Sequence, residues 1–253
     1  MRPPIHNVRM NSVLRDYLQS HEIQPKDNSP AIWRAIERLT FPGNLRLSAW
    51  SRFDLSDRTN LVLGSLGYMS YTHSPTHRFR TGAFCSIAAG VTIMGDSHPS
   101  ERVSTHPFTY GPYYRNAAKA MGAERTIMSV PFDGRQPETI VGDDVWIGAR
   151  VTMAGGLKIG TGAILATAAV VTRDVPPYAI VGGIPGKIIK YRFPENTVER
   201  LLETRWWEYS LKDLAQFDFR DPDRFCDDFM NRRDGLLPRQ NFEICAADLL
   251  ALV

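Results

Sequence analysis

The chain has 253 residues, of which 43% are hydrophobic and 23% charged, so its composition is that of a globular rather than a disordered protein. Its formal net charge of +3 is too small and too dispersed to indicate a nucleic-acid partner. Three cysteines without a CxxC pair argue against a disulfide framework or a zinc knuckle.

The first residues lack the apolar core of a secretory signal, and no apolar run reaches the roughly 18 residues that a spanning helix needs. The sequence therefore predicts a cytoplasmic protein without a membrane span. Residues 1–60 are predicted to be a separate extension of helices and strands. One helix is expected after Asn11 or Ser12, and another begins at Ser29 with Pro30 in its first turn.

A six-residue repeat occupies the chain from Val141 to Val175. The first position of each block is aliphatic or Met, and these residues are Val141, Ile147, Met153, Ile159, Leu165 and Val171. The fifth position is also apolar throughout: Val145, Val151, Leu157, Ala163, Ala169 and Val175. Neither a helix nor a single strand has a period of six, so the pattern predicts a triangular solenoid. Each block would supply one short strand and one turn, and three blocks would complete a coil of 18 residues.

The same register occurs earlier, at Thr81, Ile87 and Ile93, so the solenoid domain is predicted to span residues 61–193. Residues 95–138 interrupt it without any repeat. A long non-repetitive loop in a compact domain is usually either functional or disordered. Because this one leaves the solenoid and returns to it, we expect it to protrude and carry site residues. Residues 194–253 are predicted to be a helical region, with helices at 194–204 and near 211–217, 223–233 and 242–252.

Several motifs resemble one family. They are TGAFCSIAAGVTIM, SHPSERVSTHPF, TIVGDDVWIGARVTM, GAILATAAVVTRDVPPYAIVGGIPGKIIKYRF and RWWEYS. Together they span about Leu63 to Ser210 and resemble the hexapeptide-repeat acyltransferases. The closest branch is the xenobiotic (streptogramin and chloramphenicol) acetyltransferases with their carbohydrate O-acetyltransferase relatives.

The resemblance implies an all-β solenoid, a left-handed parallel β-helix. An N-terminal α/β segment, a protruding loop and C-terminal helices would accompany it. It also implies a homotrimer that binds acetyl-CoA between neighbouring subunits and transfers the acetyl group directly to a small acceptor.

His98 matches the family's catalytic histidine, seven residues before Thr105. An alcohol must lose its proton as it attacks a thioester, and histidine side chains titrate near the pH at which a general base works best. A carboxylate often fixes the tautomer of such a base; the nearby acids are Asp96 and Glu101, and the sequence does not choose between them.

Tyr68 and Tyr71 match aromatic residues that line the acceptor pocket in the family, although packing of irregular coils explains them equally well. His73 and His77 precede the repeat and are candidates for the edge of that pocket. In the loop, the side chains suited to stacking on a sugar and hydrogen bonding to it are Tyr110, Tyr113, Tyr114 and Arg115.

The resemblance also implies a set of residues that bind acetyl-CoA. Trp146 would lie beside the pantetheine arm, and small residues on the following turns would let that arm approach the backbone: Gly148, Ala154, Ala166, Ala168 and Thr172. Arg173 and Lys187 would meet the phosphates, and Ile184 would flank the adenine. The alternative for the small residues is that tight turns alone require them.

The expected function is thus acetyl-CoA-dependent transfer to a hydroxyl of a surface-polysaccharide sugar or an antibiotic. An N-acyltransferase acting on an amino sugar or nucleotide-sugar is the alternative. A non-catalytic scaffold, or a zinc enzyme of the γ-carbonic anhydrase type, is the remote one. A zinc site of that type needs three histidines on the coils, and residues 141–181 contain none, so no metal is expected.

Overall fold

A computed structural model describes residues 3–55, 59–74, 78–123, 130–240 and 242–253, without the side chains of residues 112 and 115. The N-terminal elements are β1 (Ile5–Arg9), α1 (Ser12–Ser20), β2 (Gln24–Pro25), α2 (Pro30–Ala35) and β3 (Arg38–Pro42). The Asn11 side chain accepts a hydrogen bond from the Leu14 amide at 2.8 Å, and Ser29 caps α2 in the same way. Both predicted helix starts are confirmed.

Short strands follow: β4 (Arg46–Ser48), β5 (Arg52–Phe53), β6 (Asn60–Val62), β7 (Tyr71–Thr72), β8 (Phe79–Thr81), β9 (Ser86–Ile87), β10 (Thr92–Ile93), β11 (Thr139–Val141), β12 (Trp146–Ile147), β13 (Thr152–Met153), β14 (Lys158–Ile159), β15 (Ile164–Leu165), β16 (Val170–Val171), β17 (Ala179–Gly182) and β18 (Lys187–Tyr191). They form parallel ladders in the orders β17-β15-β12-β9-β7-β5-β2, β14-β11-β8 and β10-β13-β16. β18 adds an antiparallel edge to the first ladder. Trp146 pairs with Ile164 and Thr152 with Val170, so successive layers are 18 residues apart, as the repeat predicts.

Side chains of the repeat fill the core of this stack. Every first-position residue from Val141 to Val171 and every fifth-position residue from Val145 to Val175 is buried. The second position of a block directly follows the buried first one, and at Gly142, Gly148 and Gly160 it is glycine for a steric reason. A Cβ on Gly148 would lie 2.7 Å from the backbone nitrogen of Thr167, and one on Gly160 would lie 2.4 Å from that of Pro177. Successive layers therefore approach too closely for a larger residue.

The stack begins earlier than residue 61. Gln24 pairs in parallel with Arg52, and Arg52 with Tyr71, so β2 and β5 are layers of the first ladder rather than parts of a separate extension. The predicted boundary at residue 60 is therefore corrected. The early layers escaped detection because their spacing is irregular: 28 residues separate Gln24 from Arg52, but 19 separate Arg52 from Tyr71.

Residues 94–137 form a compact unit of their own, with bounds within one residue of the predicted loop 95–138. This unit contains a 3-10 turn at Pro107–Thr109 and a helix, α3 (Pro112–Ala120), that the sequence analysis did not predict. Pro112 is the first residue of this helix, a position that proline favours. Three of its last four residues are alanines, which have the highest helix propensity.

The C-terminal elements are α4 (Glu195–Thr204), α5 (Leu211–Leu214), α6 (Pro222–Arg232), β19 (Glu243–Cys245) and α7 (Ala246–Leu250). Trp206, Trp207 and Phe229 belong to a second hydrophobic cluster, which also contains Tyr178 from the end of the stack. β19 pairs antiparallel with β4, so a strand replaces the first turn of the helix predicted at 242–252. Within the described residues, no helix is long and apolar enough to cross a bilayer.

Candidate active site

His98 lies exposed in the 94–137 unit, with its Nδ1 atom fixed by two oxygens. The backbone carbonyl oxygen of Thr105 is 3.0 Å from Nδ1, and the hydroxyl oxygen of Tyr110 is 2.8 Å from it. A carbonyl oxygen only accepts hydrogen bonds, so Nδ1 must carry the hydrogen and Nε2 keeps its lone pair. This is the tautomer in which a histidine acts as a base through Nε2.

The seven-residue spacing between His98 and Thr105 follows from this contact, because Thr105 contributes its carbonyl rather than its side chain. The chain then enters the 3-10 turn, whose first amide is capped by His106: the Phe108 amide donates to His106 Nδ1 at 3.2 Å. The His106 ring also lies edge-on to Tyr114, with ring centroids 4.7 Å apart. His106 thus has a structural role in the turn that presents Tyr110.

The segment of residues 130–136, which has no regular secondary structure, holds Tyr110 in place. Arg102 donates to the carbonyl oxygens of Val130 and Pro131 at 2.9 and 3.0 Å, and its guanidinium lies 5.5 Å from the centre of the Phe132 ring. Phe132 in turn lies edge-on to Tyr110 at 5.4 Å. These contacts join residues far apart in the chain, and no sequence motif indicates them.

His98 and Tyr110 line an open depression of about 510 Å³, together with Asp96, Ser97, Phe132, Asp133, Gly134 and Arg135. Hydrogen bonds from the Arg135 side chain lower the pKa of Asp133 to about 2, so that carboxylate is charged at any working pH. Glu101 lies 3.7 Å from Arg102. The two partners that the structure gives Nδ1 of His98 are therefore a carbonyl and a phenol rather than a carboxylate.

Two predicted site residues share one outward face of the stack. Tyr71 pairs with Ser86, and Ser86 pairs with Trp146, so the two aromatic side chains stand in the same row, two strands apart. At about 4.8 Å per strand, roughly 10 Å separates them. Trp146 is 55% exposed and Tyr71 38% exposed, which leaves both side chains open to a ligand.

The predicted acetyl-CoA residues fall into separate groups. Gly148, Ala166 and Ala168 lie in the turns that follow β12 and β15. Ala154, Thr172 and Arg173 lie in the turns that follow β13 and β16, at a different edge of the stack.

Ile184 and Lys187 belong to the hairpin between β17 and β18. The Gly186 amide ties this hairpin to the end of β16 through a 2.7 Å hydrogen bond to the Val170 carbonyl.

Tyr68 has a different environment from Tyr71. It lies edge-on to Phe84 at 5.5 Å, and the Arg239 guanidinium is 4.8 Å from its ring centre. These contacts join it to the C-terminal cluster, whereas Tyr71 lies in the outward row. In the loop, Tyr113 is 74% exposed. The side chain of Arg115 and the whole of His77 lie outside the described residues.

No protein-family model matches the chain. A chloramphenicol acetyltransferase of Agrobacterium fabrum is 35% identical over 178 residues, which cover 61% of this chain and 78% of that protein. The chain belongs to the hexapeptide-repeat acyltransferases. An Escherichia coli chloramphenicol acetyltransferase is 37% identical over 138 residues, 53% of this acyltransferase and 61% of the relative. A galactoside acetyltransferase solved in complex with coenzyme A covers 60% of this chain and 64% of its own at 18% identity and a TM-score of 0.30.

The three cysteine thiols of this acyltransferase are further potential nucleophiles. Cys85 and Cys226 are buried and Cys245 is exposed, all three as free thiols. Burial raises the pKa of the Cys85 thiol to about 12, which keeps it protonated and unreactive. In the part of the chain that the structure describes, no three His, Cys, Asp or Glu side chains are grouped so as to hold a metal ion.

Proposed function

We propose that this acyltransferase uses His98 as the general base that activates a hydroxyl group of a small acceptor. Acetyl-CoA is the acetyl donor. The observation that carries the proposal is the Thr105 carbonyl 3.0 Å from Nδ1, which puts the lone pair of the neutral ring on Nε2, while His98 lines the depression. A surface histidine without a catalytic role does not need its tautomer to be fixed, so the two oxygens beside Nδ1 support a role in the reaction.

The reaction proceeds by direct transfer. Nε2 takes the hydroxyl proton while the acceptor oxygen forms a bond to the thioester carbonyl carbon. The tetrahedral intermediate then collapses, the carbon–sulfur bond breaks, and the imidazolium returns the proton to the departing thiolate. The Tyr110 hydroxyl oxygen lies 2.8 Å from Nδ1 and shares the Nδ1 hydrogen with the Thr105 carbonyl, so both oxygens stabilise the positive charge that the ring gains in the first step.

The donor lies along the outer wall in this proposal. Trp146 contacts the pantetheine arm, and the small residues of the following turns let the arm reach the backbone. Arg173 and Lys187 are exposed and have no carboxylate partner among the described residues, which suits them to phosphate groups. Ile184 is 75% exposed beside Pro185 and offers an apolar surface for the adenine.

A left-handed coil and a homotrimer complete the proposal, with acetyl-CoA in clefts between neighbouring subunits. The edge strand β18 supports an assembly, because Ile188, Ile189 and Tyr191 are 47%, 65% and 47% exposed on it. Contiguous exposed apolar residues on an unpaired edge are typical of a surface that another chain covers. Light scattering at working concentration measures this directly, and a mass near three times 28.5 kDa is expected.

The acceptor is a sugar or an antibiotic bearing a free hydroxyl. To test this, the protein is mixed with acetyl-CoA and a panel of sugars, amino sugars and antibiotics, and the release of free thiol is followed. Turnover with hydroxyl acceptors is expected. Turnover with amines alone would show that the protein is an N-acyltransferase instead. If there is no turnover and calorimetry detects no binding of coenzyme A, acyl transfer is refuted.

Replacement of the base is the decisive variant. His98→Ala is expected to lower kcat/KM by about 10²–10⁴ while coenzyme A binding stays unchanged, since only proton transfer is lost. His6→Ala removes a histidine from the N-terminal strand β1, whose ring lies 5.4 Å from Phe41, and serves as the matched control. Equal activity in the two variants would remove His98 from the mechanism.

A further inference from the structure

A second depression lies on the stack itself, at the N-terminal end of the longest ladder. It has a volume of about 370 Å³ and is lined by Lys26, Arg52, Phe53, Tyr71, Thr72 and His73. Three adjacent layers build it, because Arg52 lies on β5, Tyr71 lies on β7, and Lys26 directly follows β2. The regular six-residue repeat does not extend to the first two of these layers, β2 and β5.

Two cations face this depression. A guanidinium nitrogen of Arg52 donates to the Lys26 carbonyl oxygen at 3.0 Å, which holds the arginine against the backbone of the neighbouring layer. Among the described residues, neither Arg52 nor Lys26 has a carboxylate within ion-pair distance. Two adjacent positive charges without an internal counter-charge favour an anionic ligand.

The other wall combines a stacking surface with a hydrogen-bonding group. The Tyr71 and His73 rings have centroids 5.3 Å apart, inclined at 51°. Nδ1 of His73 is buried 3.5 Å from the Asp54 carboxylate, and Asp54 does not line the depression. The negative charge of Asp54 favours a hydrogen on Nδ1, which leaves Nε2 to accept a hydrogen bond from a ligand hydroxyl.

The depression is continuous with the row that holds Trp146. Arg52, Tyr71, Ser86 and Trp146 are partners on successive strands of one face. Three strand spacings place Arg52 about 14 Å from Trp146 along that face. A ligand seated in the depression therefore shares a wall with the residue proposed to contact the pantetheine arm.

We propose that this depression binds a negatively charged saccharide, with its carboxylate or phosphate between Lys26 and Arg52 and its ring against Tyr71. This inference concerns binding alone and does not rest on the proposed function. An acidic sugar fits all three features of the depression: the cations bind the charge, the aromatic face packs against the ring, and His73 accepts a hydrogen bond from a hydroxyl group.

Calorimetry without acetyl-CoA tests the binding, at low salt so that screening does not mask the charge. The probes are glucuronate, glucose 1-phosphate and glucose. The acidic sugars are expected to bind and glucose is not, and the tighter of the two acidic probes identifies the anion. Arg52→Gln and Lys26→Gln are each expected to weaken binding of the acidic probes about tenfold or more, the size of one charge-assisted hydrogen bond.

Arg80→Gln is the matched control, because Arg80 is also an exposed strand arginine but lies on β8 in another ladder. Its binding is expected to equal that of the native chain. If Arg52→Gln and Arg80→Gln weaken binding equally, or if glucose binds as tightly as glucuronate, the inference is overturned.

The same probes then serve as acetyl acceptors. Acidic sugars that bind without any acceptor being acetylated would refute the proposed function and leave the depression as a binding site. Acetylation of any acceptor while no acidic sugar binds would support the proposed function and overturn the inference.

Discussion

The repeat layers and the 94–137 unit hold their residues by different means. In the layers, Ile147 lies between Ile87 and Leu165, its partners in the strands above and below, and the same relation recurs at every step. In the 94–137 unit, His98 is held by a carbonyl seven residues away and a phenol twelve residues away. Regular stacking provides rigidity, and an irregular insertion provides a geometry that no repeat could produce.

In a repeat protein, the stacked layers and an insertion differ in the side chains that they can accommodate. Each inward position of the stack is committed to its neighbours, so a polar group there would lose its solvation without a partner. An insertion between layers escapes this restriction, because its residues do not have to match a repeated register. Stability and activity should therefore respond to mutations in different regions.

The largest effect on stability is expected inside the stack. Leu165→Ala removes a fully buried side chain between β12 and β17 and should lower the free energy of unfolding by about 2–5 kcal/mol. Urea unfolding followed by circular dichroism measures it. The neighbouring outward residue provides the control: Ile164→Ala should cost clearly less, and equal losses would contradict the inward register.

A smaller effect is expected in the insertion, on activity rather than stability. Tyr110→Phe keeps the ring against Phe132 but removes the oxygen beside Nδ1, so kcat should fall about three- to tenfold with KM unchanged, as for one hydrogen bond. Steady-state kinetics with the best acceptor of the panel measures both constants. A fall in the unfolding free energy comparable to that of Leu165→Ala would show that Tyr110 is structural.

The smallest effect on stability is expected at Asp143, in the turn between β11 and β12. Burial there raises the pKa of its carboxyl group. The folded state then binds the proton more tightly than the unfolded state, so the charge lowers stability once the pH exceeds the ordinary value of 3.8. Asn keeps an oxygen for the Ala83 amide, which donates to Asp143 at 2.7 Å.

Asp143→Asn should accordingly raise the free energy of unfolding at pH 7 by at most about 1 kcal/mol. The advantage should disappear as the pH falls below the unfolded pKa, because both side chains are then neutral. Thermal unfolding measured from pH 3 to pH 7 tests the sign. A native chain that is more stable than the variant at pH 7 would contradict it.

Much of the stack was predictable because its register is periodic. Each first-position residue is buried for the same reason, so six matches in the sequence predict six core positions, which fill two successive coils. The starts of α1 and α2 were predictable because capping is local: Asn11 and Ser29 bond to amides three residues ahead. The early layers were missed, since β2, β5 and β7 repeat at unequal intervals and leave no period to detect.

In the candidate site, too, some features were predictable from the sequence and others were not. Residue type and spacing were enough to single out His98, and the outward position of Trp146 follows from the register. The group that fixes the His98 tautomer was sought among Asp96 and Glu101, because only side chains leave a signature in a sequence. A backbone carbonyl leaves none, and neither does the path through Arg102 and Phe132 that holds Tyr110.

By itself, then, the sequence determined the stacked layers, their buried register, the interruption at residues 95–138 and the histidine within it. These features depend on residue type at regular spacing, and that spacing is visible in the sequence itself. Only the tertiary structure decided where the stack begins, which oxygens hold His98, and that Lys26, Arg52, Tyr71 and His73 surround one depression. Those features depend on residues brought together across unequal distances along the chain, and no spacing in the sequence encodes them.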